Sequence, residues 1–230
     1  MTHTTTHIVF PIFDRMSHLD FTGPHHIFSC VPDARITVAS MGGRNVEAHG
    51  FVFSGLTDLS KVESCDVLCV PGGFGATIAM VDEAFMRDIR RLAGGARYVT
   101  SVCTGSFILA SAGLLRGRRA ATYWANREFL AQLGVIVEND RVVRDGNIIT
   151  GGGVTAGIDF ALVAISEIFG RDVAEAVELR VEYAPAPPFG VGRPEIAPPE
   201  LVSNVRDALS GNTAAYRKAV HQVVDTLKAA

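Results

Sequence analysis

The chain has 230 residues, of which 48% are hydrophobic and 20% charged, with a net charge of -3 and a pI of ≈ 6.2. This length and balance fit one globular α/β domain and exclude a disordered chain. The charge offers no electrostatic footprint for nucleic acid, and no segment approaches the roughly 18 consecutive apolar residues that span a bilayer. A cytoplasmic protein acting on a small molecule, without nucleic acid or membrane as partner, is expected.

The first ten residues, MTHTTTHIVF, lack the basic region and apolar core of a signal peptide. His7 to Phe13 is a short apolar run containing Pro11 and predicts a buried strand bent at its end. Leu19-Asp20-Phe21-Thr22-Gly23-Pro24 then leads to a helix predicted over 25–31, started by the Gly-Pro step. Asp20 stands at that start between two large apolar residues. Turned inward it is desolvated, and its pKa rises toward the range useful for proton transfer. Turned outward it is an ordinary solvated helix cap. His25 and His26 read as packing or surface residues.

Arg35 to Ser40 alternates like a strand, and Val46 to Gly55 predicts a further extended segment. Val67 to Val70 is a continuous apolar run ending in Pro71-Gly72-Gly73, as where a parallel strand buried on both faces reaches the ligand-binding edge of a sheet. Gly72 and Gly73 can donate backbone hydrogen bonds to a developing negative charge, although Pro-Gly-Gly also forms plain turns. No Gly-Lys-Ser/Thr follows, so a nucleotide loop is not indicated.

Glu83 to Ala93 has helical periodicity and ends at Gly94-Gly95. The next stretch, YVTSVCTGSFILASAG from Tyr98 to Gly113, runs from a β-branched strand into an apolar helix, with Cys103 at the turn between them. This is the layout of a nucleophile elbow, and Cys103 is the candidate nucleophile. A helix N-terminus presents unpaired N–H groups and the positive end of the helix dipole, both of which favour thiolate. The alternative is one more small buried residue. The other cysteines, Cys30, Cys65 and Cys69, lie in separate predicted elements and read as free thiols. Cys65 and Cys69 are close in sequence, but no second Cys/His pair stands at zinc spacing, so core packing is expected and no metal.

Beyond the elbow, 114–119 predicts a basic turn, 120–123 a short strand and 124–133 a helix. Asp145-Gly146 between two β-branched runs predicts a hairpin over 142–149. The loop Thr150-Gly151-Gly152-Gly153 precedes a helix over 155–169 that is apolar nearly all round. A helix over 172–183, a Pro/Gly-rich segment to Pro199 and a helical stretch over 200–228, broken at Gly211, complete the chain. One domain is expected, residues 1–199, with 200–230 as its C-terminal helical extension.

The segments Leu19 to Pro24, Pro71 to Gly73, Ser101 to Ser106, Thr150 to Phe160 and Glu182 to Phe189 resemble the DJ-1/PfpI superfamily, most closely its isocyanide (isonitrile) hydratases. The resemblance implies a flavodoxin-like three-layer α/β sandwich with a mostly parallel central sheet, a homodimer and no cofactor. It implies Cys103 as nucleophile, Asp20 as its acidic partner and Thr104 beside them. Gly72, Gly73, Tyr123, Trp124 and Val154 fall at the substrate. Thr104 stands where peptidase-like relatives carry a histidine, which argues against proteolysis. Tyr123 stands where a histidine is expected before Trp124. The expected reaction is hydration of an isocyanide to an N-substituted formamide through a thioimidate on Cys103. The rivals are a redox- or ligand-sensing protein, and glyoxalase or amidase chemistry on the same thiol. Related AraC-type regulators fuse this fold to DNA-binding helices; no helix-turn-helix is expected before Ala230.

Overall fold

The computed structural model describes residues 5–229. In chain order the strands are β1 (Thr6–Pro11), β2 (Ala34–Ser40), β3 (Val46–Ala48), β4 (Phe51–Phe53), β5 (Thr57–Asp58), β6 (Val67–Val70), β7 (Tyr98–Val102), β8 (Arg119–Ala120), β9 (Ile136–Val137), β10 (Val142–Asp145) and β11 (Ile148–Gly151). The helices are α1 (His18–Ser29), α2 (Ala76–Ala79), α3 (Glu83–Gly95), α4 (Gly105–Ser111), α5 (Arg127–Ala131), α6 (Ala156–Phe169), α7 (Arg171–Arg180), α8 (Pro199–Ala208) and α9 (Ser210–Ala229).

Seven strands form the central sheet in the order β10-β11-β7-β6-β1-β2-β5. All neighbours are parallel except β10 and β11, the predicted hairpin, which turns at Asp145-Gly146-Asn147-Ile148. The run β2-β1-β6-β7-β11 is the flavodoxin-like order, and its direction reverses between β1 and β6. Ligands of such sheets bind outside the carboxyl ends of the strands near that reversal.

Period-two alternation sends the side chains of each central strand to two cores. Val9, Leu68, Val70 and Val99 join a cluster with residues of α2 to α5 and α9. Ile8, Phe10, Val67, Cys69 and Val102 join another with residues of α1, α6 and α7. Cys65 belongs to the first cluster and Cys69 to the second, so the sheet separates them and they do not share a ligand. Burial pushes both thiols up to about 12, as expected of packed, inert cysteines.

Several elements differ from their predicted form: the extended segment expected over 46–55 folds back on itself as the antiparallel β3–β4 pair, and the strand expected over 120–123 is only Arg119–Ala120. The first helix starts at His18, seven residues earlier than expected, and carries Pro24 inside it. Pro24 lacks the N–H that would bond the Asp20 carbonyl, and its ring instead packs on the start of α6: a Cβ on Gly157 would lie 3.1 Å from Pro24 Cδ. The helix expected over 124–133 is a 3-10 turn at Trp124–Asn126 followed by α5. The C-terminal break falls at Leu209 rather than at Gly211, which lies in the first turn of α9.

Candidate active site

The elbow follows from β7 and α4 being joined by two residues. Cys103 sits there at φ 55, a left-handed conformation costly for a side chain with a Cβ. Its backbone is held on both sides. The Cys103 N–H donates to the Gly151 carbonyl at 3.0 Å, while the Ser106 and Thr122 hydroxyls each donate to its carbonyl at 3.1 Å. Gly105, two residues on, allows α4 to abut β6, since a Cβ there would lie 2.2 Å from the Val70 carbonyl oxygen. The strained backbone at Cys103 is thereby held by β11, α4 and the loop of Thr122.

Asp20 occupies the first turn of α1, three residues after Ser17, and is fully buried. One carboxyl oxygen accepts the Gly72 N–H at 3.1 Å, and the Cys103 thiol and the Ser17 side chain adjoin the same carboxyl group. Burial raises its pKa to about 7, although the Cys103 thiol, the Gly72 amide and the Ser17 side chain all act to lower it. A helix N-terminus stabilises a carboxylate by about 2 kcal/mol at most, whereas a rise of that size reflects about 4 kcal/mol, so desolvation wins.

Cys103 is also buried, and its thiol pKa is driven well above the ordinary value, first by burial and then by the Asp20 carboxylate. The expected helix-terminus activation is therefore outweighed. α4 has only seven residues, and its dipole does not compensate for removing the sulfur from water. The Thr104 backbone and hydroxyl still favour the thiolate. The resting pair is a thiol beside a carboxyl group that changes charge near neutrality.

A cavity of about 770 Å³ opens at Cys103 and Thr104. Tyr123, Phe74, Val154 and His49 line its walls, and Asp14, Arg15 and Glu47 bring charge to it. His49 has φ 51 and Gly50 φ 82, which form the tight turn of the β3–β4 hairpin; Arg15, also left-handed at φ 60, stacks over Phe74 at 4.1 Å. The opposite wall comes from the C-terminal segment through Leu209, Asn212, Thr213 and Tyr216.

The sequence model of the DJ-1/PfpI family matches residues 6–167. The chain belongs to the DJ-1/PfpI family. Isonitrile hydratase from Pseudomonas putida is 46% identical over 200 residues, spanning 86% of this chain and 88% of that protein. The crystal structure of a ThiJ/PfpI family protein from Pseudomonas syringae superposes with a TM-score of 0.90 at 33% identity, covering 94% of this chain and 90% of that one. The HTH-type transcriptional regulator CdhR of Pseudomonas aeruginosa is 34% identical over 140 residues, or 59% of this chain and 41% of the regulator.

Within this DJ-1/PfpI site, the expected residues fall at different depths. Cys103, Thr104, Gly73, Tyr123 and Val154 line the cavity. Asp20 and Gly72 lie behind it: a Cβ on Gly72 would lie 2.5 Å from the Thr104 nitrogen and 2.8 Å from Asp20 Oδ2. Both glycine amides are already engaged, Gly72 N–H by Asp20 and Gly73 N–H by Thr104 Oγ1 at 2.9 Å, so neither is a free donor for a substrate anion. Trp124 is not at the cavity. It contacts Tyr123 at 5.8 Å between ring centroids, lies under Arg206 at 4.9 Å and faces a separate groove formed with Val191 to Pro194 and α8.

Tyr216 was not legible as a site residue. It is 3% exposed, its O–H is 2.6 Å from the Gly73 carbonyl oxygen and 2.7 Å from Thr104 Oγ1, and its ring lies 5.0 Å from that of Phe107. In sequence it is one aromatic residue in an apolar helical stripe, the usual sign of core packing.

Proposed function

We propose that this protein is an isonitrile hydratase that adds water to an isocyanide through a covalent adduct on Cys103. The observation that carries this reading is the Cys103 thiol at the floor of the cavity with the buried Asp20 carboxyl group behind it. The 46% identity to the Pseudomonas putida enzyme supports the same chemistry.

Asp20, with a pKa near 7, accepts the thiol proton as the sulfur bonds to the terminal isocyanide carbon. It then returns that proton to the same carbon, giving a thioimidate, S–CH=N–R, with no atom lost. Water adds across the C=N bond, its oxygen to carbon and a proton to nitrogen, with Asp20 handling the proton. The remaining hydroxyl proton returns to sulfur through Asp20 as the C–S bond breaks, and the formamide leaves. The Thr104 N–H and hydroxyl steady the sulfur whenever it carries charge.

A redox sensor is favoured less, because Cys103 lacks the exposed, low-pKa thiol on which rapid oxidation depends. Cys103→Ala should abolish formamide formation from a simple aryl or alkyl isocyanide, and Asp20→Asn should lower kcat by about 100-fold or more. Retained turnover in Cys103→Ala would remove the nucleophile assignment. Wild-type protein inactive on isocyanides but active on methylglyoxal or a peptide amide would favour the alternative chemistries on the same thiol. The family resemblance also carries a cofactor-free cytoplasmic homodimer; light scattering in solution should give twice the 24.5 kDa chain mass, and a monomer would reject that assembly.

A further inference from the structure

Thr104 lies between three polar neighbours. A threonine hydroxyl has one proton and two acceptor positions. Gly73 N–H fills one position at 2.9 Å, and Tyr216 Oη stands at 2.7 Å from the same oxygen. If the Tyr216 proton fills the second position, the Thr104 proton has two places to go. The Gly73 carbonyl is 3.4 Å away, outside the usual O–H···O range, and the Cys103 sulfur is the other neighbour. In the alternative rotamer pair, Tyr216 donates to the Gly73 carbonyl at 2.6 Å and accepts from Thr104, and the sulfur receives no hydroxyl donor.

We propose that Tyr216 is a positioning residue: its O–H donates to Thr104 Oγ1 and thereby turns the single Thr104 proton toward the sulfur of Cys103. The two rotamer pairs exchange as charge appears on sulfur, because a hydrogen bond to a charged acceptor is roughly twice as strong as a neutral one. Tyr216 belongs to α9, which lies beyond residues 6–167, so this donor is supplied from outside the region that matches the family. The titratable groups acting on the sulfur are Asp20 and, through their own response to its charge, Tyr123 and Tyr216; Asp14, Arg15, Glu47 and His49 line the cavity farther out.

The inference rests on Cys103 being the reacting thiol, and alkylation tests it independently of isocyanide turnover. The rate of iodoacetamide labelling at Cys103, resolved from Cys30, Cys65 and Cys69 by peptide mass spectrometry, is followed against pH in the full-length protein. Tyr216→Phe, which keeps the ring against Phe107, should move the Cys103 profile up by about one pH unit and slow labelling about tenfold at a fixed pH below the midpoint. Thr104→Val should do at least as much, and the double variant no more than Thr104→Val alone. Thr104→Ser, which keeps the hydroxyl, should retain the wild-type profile. An unshifted profile in Tyr216→Phe, additive shifts in the double variant, or equal profiles for the Ser and Val variants at Thr104 would overturn the proposal. Wild-type protein inactive on isocyanides but showing the expected labelling pattern would instead reject the hydratase reading and leave the Tyr216 role standing.

Discussion

Asp20 shows how far burial can override local rules. Its place in the first turn of α1 and its bond from Gly72 both favour the carboxylate, yet its pKa rises from 3.8 to about 7 because burial takes the charged form out of bulk solvent. The raised value fixes the sign of a stability effect. The folded state holds the proton more tightly than the unfolded chain, so the favourable contribution is complete below about pH 4 and is lost as pH rises toward 7. Its full span is about 4 kcal/mol. Asp20→Asn keeps an oxygen for the Gly72 N–H and removes the titration. The variant should therefore gain stability relative to wild type as pH rises from about 4.5 to about 8, by roughly 3 kcal/mol, in urea unfolding at the two values. A stability difference independent of pH would show that Asp20 is charged throughout, and with it would go its role as proton carrier.

At the scale of elements, local patterns foretold what local chemistry decides. The strand, turn and helix around Cys103, the Asp145-Gly146 hairpin and the buried helix α6 were legible because each is specified by neighbours in sequence. The start of α1 was not, because the Gly23-Pro24 step reads as a helix beginning, while the contact of Pro24 with Gly157 that accommodates it lies over a hundred residues away. The thiolate expectation failed for a related reason: a helix terminus is visible in sequence, but the burial that opposes it is a property of the packed sheet. Gly72 and Gly73 were identified at the right edge, yet their N–H groups are spent on Asp20 and Thr104, partners that only the assembled fold supplies. They shape the site by letting two backbones meet, as the 2.1 Å separation between a Gly73 Cβ and the Ser17 nitrogen shows.

The whole molecule turns on whether the C-terminal helix is an appendage or a wall. We read α9 as integral to the domain. Tyr216, Ala219, Val220 and Val223 are buried in the core cluster that also holds Phe107 and Phe129, and Leu209, Asn212 and Thr213 face the cavity. Each large apolar side chain buried there contributes about 1.5–3 kcal/mol, so losing the three largest removes roughly 5–9 kcal/mol. That is comparable to the whole stability of a typical domain, about 5–15 kcal/mol. A chain ending at Leu209 is therefore expected to lose cooperative unfolding in urea, whereas Tyr216→Phe, which removes one oxygen, keeps a cooperative transition. The same comparison separates architecture from chemistry, since the truncation removes both the wall and the Tyr216 hydroxyl while the point variant removes the hydroxyl alone. A truncated protein with the urea midpoint of the intact chain would show that the sheet and its other helices suffice, and that α9 serves the Cys103 site without holding the fold.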